Sequence, residues 1–210
     1  MQKNSSHVDL RFMKTHFTTL LKSLIYGAVA PFIVSCANGH TSENLLSYID
    51  TRIGTAASTT HTAGMFGKHT EEYGQTLPAV LEPNGMNFWT PQTQDTELKC
   101  IAPYYYRDSL FQGFRNSHWI VGGCTQDYGS MTLTASFDTL RCLPEKRATR
   151  FSHEQETATP SYYAVTLPDE HLQAEITGRS RSAIFRFSYE KAGKAYLIVN
   201  PNSDEGEGYI

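Results

Sequence analysis

The chain has 210 residues, a formal net charge of −3 and 40% hydrophobic residues. That length supports one large domain or two small ones with a real core, and mild acidity without a basic block argues against a nucleic-acid partner. Twelve tyrosines and eleven phenylalanines favour strands, whose pleated surfaces suit aromatic side chains.

Residues 1–12 are polar, and Met13 is an alternative start. A short basic region with Lys14 and Lys22 follows, then an apolar run over 24–34 that closes on Ile33, Val34, Ser35 and Cys36. A charged lead, a short apolar core and small residues at its end describe a secretory signal rather than a spanning helix. An ordinary signal peptide or a buried helix is the plainer alternative. The ending resembles the lipobox of bacterial lipoproteins, which implies a signal peptide over 1–36 with Cys36 as the lipid anchor. The protein is then expected to be exported and tethered to the outer membrane, on its periplasmic or surface face. Residues 37–46 read as a polar tether and 47–210 as the folded domain.

Cys100, Cys124 and Cys142 leave an odd thiol, so at most one disulfide forms among them, with no pairing legible. No Cys-x-x-Cys pair or zinc-type His spacing is present. Residues 56–74 are rich in Thr, Gly and His without periodicity and read as a loop. His61 and His69, with Glu71 and Glu72 near them, match no ligand spacing, so no metal site is assigned.

Over 77–90 two prolines and a Pro83-Asn84-Gly85 turn predict short edge strands on either side. Tyr104, Tyr105 and Tyr106 follow Pro103 in an extended context. Alternation puts Tyr104 and Tyr106 on one face, as a sugar-stacking platform or as core and rim packing. Residues 113–129 gather Arg115, His118, Trp119, Asp127 and Tyr128 between four glycines. Glycine lets backbone enter conformations closed to other residues, so polar and aromatic groups can converge there. Rings beside His and Asp suit a sugar, whose CH faces stack and whose hydroxyls bond. The plainer reading is a glycine-rich turn with Trp119 and Tyr128 as core filler.

From 131 onward the pattern is period two. Met131, Leu133, Ala135 and Phe137 take one face, with Thr132, Thr134, Ser136 and Asp138 on the other: a half-buried antiparallel strand. Residues 161–167 and 172–177 repeat this more weakly around a turn at Pro168-Asp169-Glu170. Residues 183–189 alternate clearly, and 195–199 form a last apolar run. Five strands at this spacing predict an antiparallel β-sandwich, mainly β with few helices. The acidic, glycine-rich end offers no closing element, which points to a piece of a larger protein.

Four blocks together resemble one family. Residues 49–55, IDTRIGT, resemble an opening written VDPFIGT, and Glu82-Pro83-Asn84-Gly85-Met86 resembles a PFGM turn with Asn84 in place of Phe. Gly113, Phe114, His118, Gly122, Asp127, Tyr128 and Gly129 match GFSHTHLSGTGxxDYG, with Arg115 and Asn116 in place of Ser-His. Phe151-Ser152-His153-Glu154, Glu156, Ala158, Pro160, Tyr162-Tyr163 and Val165 match FSHExExAxPxYYxVxL. Glu175-Ile176-Thr177, Arg181 and Arg186 continue the match, with Phe185 where His is usual. These blocks are similar to the amino-terminal domain of glycoside hydrolase family 92, the calcium-dependent exo-α-mannosidases of gut Bacteroidetes.

The resemblance implies an amino-terminal β-sandwich followed by an (α/α)6 helical barrel, with the pocket between them. It also implies inverting hydrolysis of α-mannosides, such as those of N-glycans or mannan. The catalytic carboxylates and most calcium ligands belong to the barrel, which is expected to lie outside this chain. No catalytic residue is therefore assigned here, no calcium is expected on this piece alone, and the piece is expected to be inactive alone. Its contribution would be a pocket wall that contacts α-mannoside glycans: His118, Trp119, Asp127 and Tyr128, with Tyr104 and Tyr106. Asp127 has a rival role, holding its loop by accepting backbone N–H bonds. His153 and Glu154 read as a structural turn. The alternative to an enzyme piece is a stand-alone carbohydrate-binding surface lipoprotein.

Overall fold

A computed structural model describes residues 44–61, 74–86, 88–94, 101–123, 127 and 130–202. The described fold is built from antiparallel strands. One sheet takes β1 (Phe88–Gln92), β3 (Gly113–Ser117), β4 (Met131–Phe137) and β10 (Ala195–Pro201) in the order β1-β3-β4-β10. The other takes β6 (Glu156–Thr159), β7 (Tyr162–Leu167), β8 (Leu172–Gly178) and β9 (Ala183–Tyr189) in sequence order. A two-stranded pair, β2 (Leu110–Phe111) with β5 (Thr149–Arg150), completes the set. Among the described residues no helix is long and apolar enough to cross a membrane.

Aromatic residues join the two large sheets. Phe114 of β3 meets Tyr163 of β7 edge-on at 5.9 Å between ring centroids. Trp89 of β1 meets Phe185 of β9 at 4.8 Å and 82°. Phe185 stands where the family pattern usually has His, and here it serves as an apolar ring in the core. Val165, Leu167, Leu172, Ala174 and Ile176 supply the floor of this core from β7 and β8. Each fully buried Val, Leu or Ile among them is worth about 1.5–3 kcal/mol of transfer free energy.

The strands read from alternation are all present, and their turns explain themselves. Pro168–Glu170 forms a 3-10 turn, closed by His171 at φ 49°. Glu170 is buried and accepts the backbone N–H of Phe137 at 2.8 Å while pairing with Arg141, so the turn is tied to the end of β4. Asn84 sits at φ 61° and Val80 bridges Trp89 across its turn. A left-handed turn suits Asn, which tolerates positive φ better than the Phe it replaces in the family pattern.

Two expectations change. Residues 113–117 form a strand second in from the edge of its sheet rather than part of a glycine loop. Gly113 has φ 145°, and a Cβ there would stand 2.7 Å from Thr132 Cγ2 and 2.9 Å from the Leu133 carbonyl. Glycine is what permits the close approach of β3 to β4. Likewise Thr132, Thr134 and Ser136, expected on a solvated face, are buried. The Thr132 hydroxyl donates to Gln92 Oε1 at 2.5 Å and accepts from Asn202 Nδ2 at 2.7 Å, so this is a polar layer held by side-chain bonds.

Candidate functional site

Strand β3 sends Arg115 and Ser117 to one face, where they meet Asp127. Asp127 Oδ2 accepts from Arg115 Nε at 2.8 Å and from Ser117 Oγ at 2.7 Å, and Oδ1 accepts the His118 backbone N–H at 2.8 Å. Arg115 Nη2 donates to Ser130 Oγ at 2.8 Å. Both members of the ion pair are buried, so the local dielectric strengthens each bond and makes its loss expensive. Arg115, a departure from the family pattern, is thus the partner of the Asp that the pattern retains.

This arrangement assigns directions to the residues beyond β3. Trp119 is buried against Leu77 and Ala102, and its backbone N–H donates to Ser117 Oγ at 3.2 Å. His118 is half-buried, and Ile120 and Val121 are exposed at the following turn. Asp127 carries out the loop-holding role, and Trp119 anchors the loop from inside. Tyr128 and Cys36 lie outside the described residues, as do Cys100 and Cys124; Cys142 is an exposed free thiol.

The second hub was not legible as a site. Ser152 opens a 3-10 turn over His153–Gln155, accepting the Glu154 N–H at 3.3 Å, and the turn sets His153 and Glu156 on the same side. The Glu156 carboxylate is fully buried. It accepts from Tyr163 Oη at 2.6 Å and Tyr104 Oη at 2.9 Å, meets His153 Nδ1 at 2.5 Å, and has Arg52 Nη1 at 3.6 Å. Burial first, then the charge of Glu156, pushes the Tyr104 and Tyr163 phenols above their ordinary range, so both remain donors. Arg52 is also held by Asp50 through paired bonds of 2.9 and 3.0 Å, which raise its pKa further. Tyr106 stacks flat on His153 with centroids 4.0 Å apart.

Tyr104 and Tyr106 therefore converge on His153 as a pair, although no strand carries them. Tyr104 is fully buried and Tyr106 is 38% exposed. Of the six residues read as sugar contacts, Trp119, Asp127 and Tyr104 point into this chain, while His118 and Tyr106 reach its surface. The sequence signal for the Glu156 hub was the His-x-x-Glu spacing of 153 and 156, two residues that a one-turn bend brings together.

A third acid, Glu175, is buried on β8 and accepts from Tyr162 Oη at 2.5 Å and from Arg186 of the paired strand β9. The Arg186 bond, then the Tyr162 bond, holds its pKa down to about 2 from 4.5 against the opposing effect of burial. A depressed carboxylate stabilises the fold above its unfolded pKa and loses that contribution as pH falls through the folded one. Wild-type stability should therefore drop between about pH 4.5 and 2, and Glu175→Gln should flatten that window in urea unfolding curves. Equal slopes in both proteins would refute the assignment.

Two facing antiparallel sheets, with their buried acids committed to arginines and tyrosines, define a β-sandwich domain of the kind that frames a site. Residues 48–209 match the glycosyl hydrolase family 92 N-terminal domain, and the chain belongs to that family. Among solved structures it is similar to an inverting mannosidase of family GH92 from Bacteroides thetaiotaomicron, at 32% identity and TM-score 0.61 over 75% of this chain and 20% of that one. It is also similar to a family GH92 α-mannosidase of the same organism, at 26% identity and TM-score 0.63 over 76% of this chain and 20% of that one. That enzyme has also been solved in complex with mannoimidazole. The chain thus spans one fifth of the length of these relatives. No curated protein matches it.

Proposed function

We propose that this chain is the sandwich portion of an exo-α-mannosidase that hydrolyses α-mannosides of N-glycans or mannan, α-1,2 linkages among them, with inversion. The family match over 48–209 carries this reading, and likeness to two mannosidases supports it. Inversion needs two carboxyl groups about 6.5–9.5 Å apart, one to protonate the leaving oxygen and one to activate water. Asp127, Glu156 and Glu175 are each bound to an arginine or to tyrosines, which suits them to shaping a wall rather than moving protons. Catalytic groups are accordingly assigned to a helical domain beyond this piece.

The calcium that the family implies is assigned no ligand on this chain. Among the described residues no three His, Cys, Asp or Glu side chains converge as metal ligands, so no step is routed through calcium on this chain. Export through the 1–36 signal and lipidation of Cys36 complete the reading, with the outer membrane as location. The stand-alone binding lipoprotein is the second reading. Incubation with α-1,2-mannobiose separates the two: this chain alone should release no mannose, while a version extended by the helical domain should release it, first as the β-anomer by NMR. Release of α-mannose first would overturn inversion, and an inactive extended protein would overturn the enzyme reading.

A further inference from the structure

The two large sheets have four edge strands, and three of them are blunted. β1 contains Pro91 and is bridged by Val80, β6 is only four residues long, and β9 carries Arg186. Proline, charge and shortness keep a sheet edge from templating a further strand. The fourth edge, β10, has seven residues, AYLIVNP, with no charge and no proline before Pro201. Two bonds fix its backbone directions. Lys194 O accepts the Asp138 N–H and the Asn202 N–H donates to Ser130 O, so even-numbered residues aim their backbone groups at β4. Ala195, Leu197 and Val199 therefore aim theirs at the free edge, where no strand pairs with them among the described residues. Leu197 and Val199 stand opposite Ala135 and Leu133, on the face that packs into the core. Yet Leu197 is 61% exposed and Val199 40%, so that apolar face runs on uncovered across β10.

This edge is complementary to itself. We propose that β10 pairs with β10 of a second copy of the chain, antiparallel about a two-fold axis at Leu197, which joins the two sheets into one. That register sets Leu197 against its own copy and Ala195 against Val199, so each outward N–H and C=O of these residues meets a partner. Moving the axis to Ile198 would set Ala195 against Pro201, which has no N–H to give. The exposed Leu197 side chains are then buried on each other as a cross-strand pair. Charge selects the same orientation. A net positive turn (Glu190, Lys191 and Lys194) precedes the strand, and three acids (Asp204, Glu205 and Glu207) follow it in the sequence. Antiparallel pairing brings opposite ends together, whereas parallel pairing would set like charge beside like.

The test is sedimentation equilibrium of the 210-residue chain across a dilution series, with a dimer expected that dissociates on dilution. Leu197→Lys sets like charges opposite each other and should weaken the dimer at least about tenfold. Ile184→Lys, at an equally apolar and exposed position on β9, should leave it unchanged. Val199→Pro removes an N–H from the free edge and none from the β4 side, so it should weaken the dimer as well. Melting curves guard against unfolding, and Leu197→Lys decides if Val199→Pro loses its fold. In a Cys142→Ser background, mild oxidation should crosslink Leu197→Cys to its copy, since opposed Cα atoms about 5.5 Å apart lie within disulfide range. Ala195→Cys should stay at the background level, and equal crosslinking of the two would overturn the axis. A monomer at every concentration, or a dimer indifferent to Leu197→Lys and Val199→Pro, would overturn the pairing. A monomer whose amides at 195, 197 and 199 resist hydrogen exchange would overturn it in favour of a segment of the same chain on this edge.

Discussion

Glu156→Ala should destabilise the domain by about 3–5 kcal/mol, as breaking a buried charged network does by stranding its partners. Four groups point at that carboxylate: the phenols of Tyr104 and Tyr163, His153 Nδ1 and Arg52. Removing it leaves two buried hydroxyls without their acceptor, and each unsatisfied group carries its own desolvation penalty. Tyr104→Phe and Tyr163→Phe delete only a donor to a charged acceptor, so each should cost less, about 1.5–3 kcal/mol. Urea unfolding of the chain and its variants gives these differences directly. Because the groups act as a unit, adding Tyr104→Phe to Glu156→Ala should cost almost nothing more. A Glu156→Ala protein as stable as Tyr104→Phe would show that the hub does not hold this corner. The consequence reaches the surface, since Arg52 and the partly exposed Tyr106 are both held by this hub.

The strands with one apolar face were legible because side-chain direction alternates with period two. Residues 183–189 appear as β9 with those bounds, and 131–137 and 195–201 extend or trim the expected runs by a few residues. Strand β3 was not legible for the opposite reason. Phe114 faces the core and Arg115 faces a buried polar layer, so neither face is solvated and no contrast in polarity remains. The sandwich needed only local pattern, whereas the hubs are made by contacts distant in sequence. Asp127 meets Arg115 across 12 positions and Glu156 meets Tyr104 across 52. Composition put the right residue types into the 113–129 stretch, but it could not tell Trp119 turned inward from Trp119 turned towards a ligand. Burial decides such directions, and burial is a property of the whole fold.

Asp127→Ala tests whether the loop after β3 depends on a buried charge. Arg115 would keep Ser130 but lose this carboxylate, and breaking a buried ion pair by removing one member is expected to cost about 3–5 kcal/mol. The backbone N–H of His118 and the hydroxyl of Ser117 lose the same acceptor, so amide exchange at 118 and 119 should accelerate beyond the global change. Asp127→Asn keeps an acceptor oxygen without the charge and should fall between wild type and alanine. Adding Arg115→Leu to Asp127→Ala removes the stranded cation and should restore much of the lost stability, since replacing both partners of a buried pair by apolar groups is often near neutral. If the double variant is no more stable than Asp127→Ala alone, the stranded charge is not the cause. In that case the hydrogen bonds to Ser117 and His118 hold the loop, and His118 owes its surface position to them rather than to the ion pair.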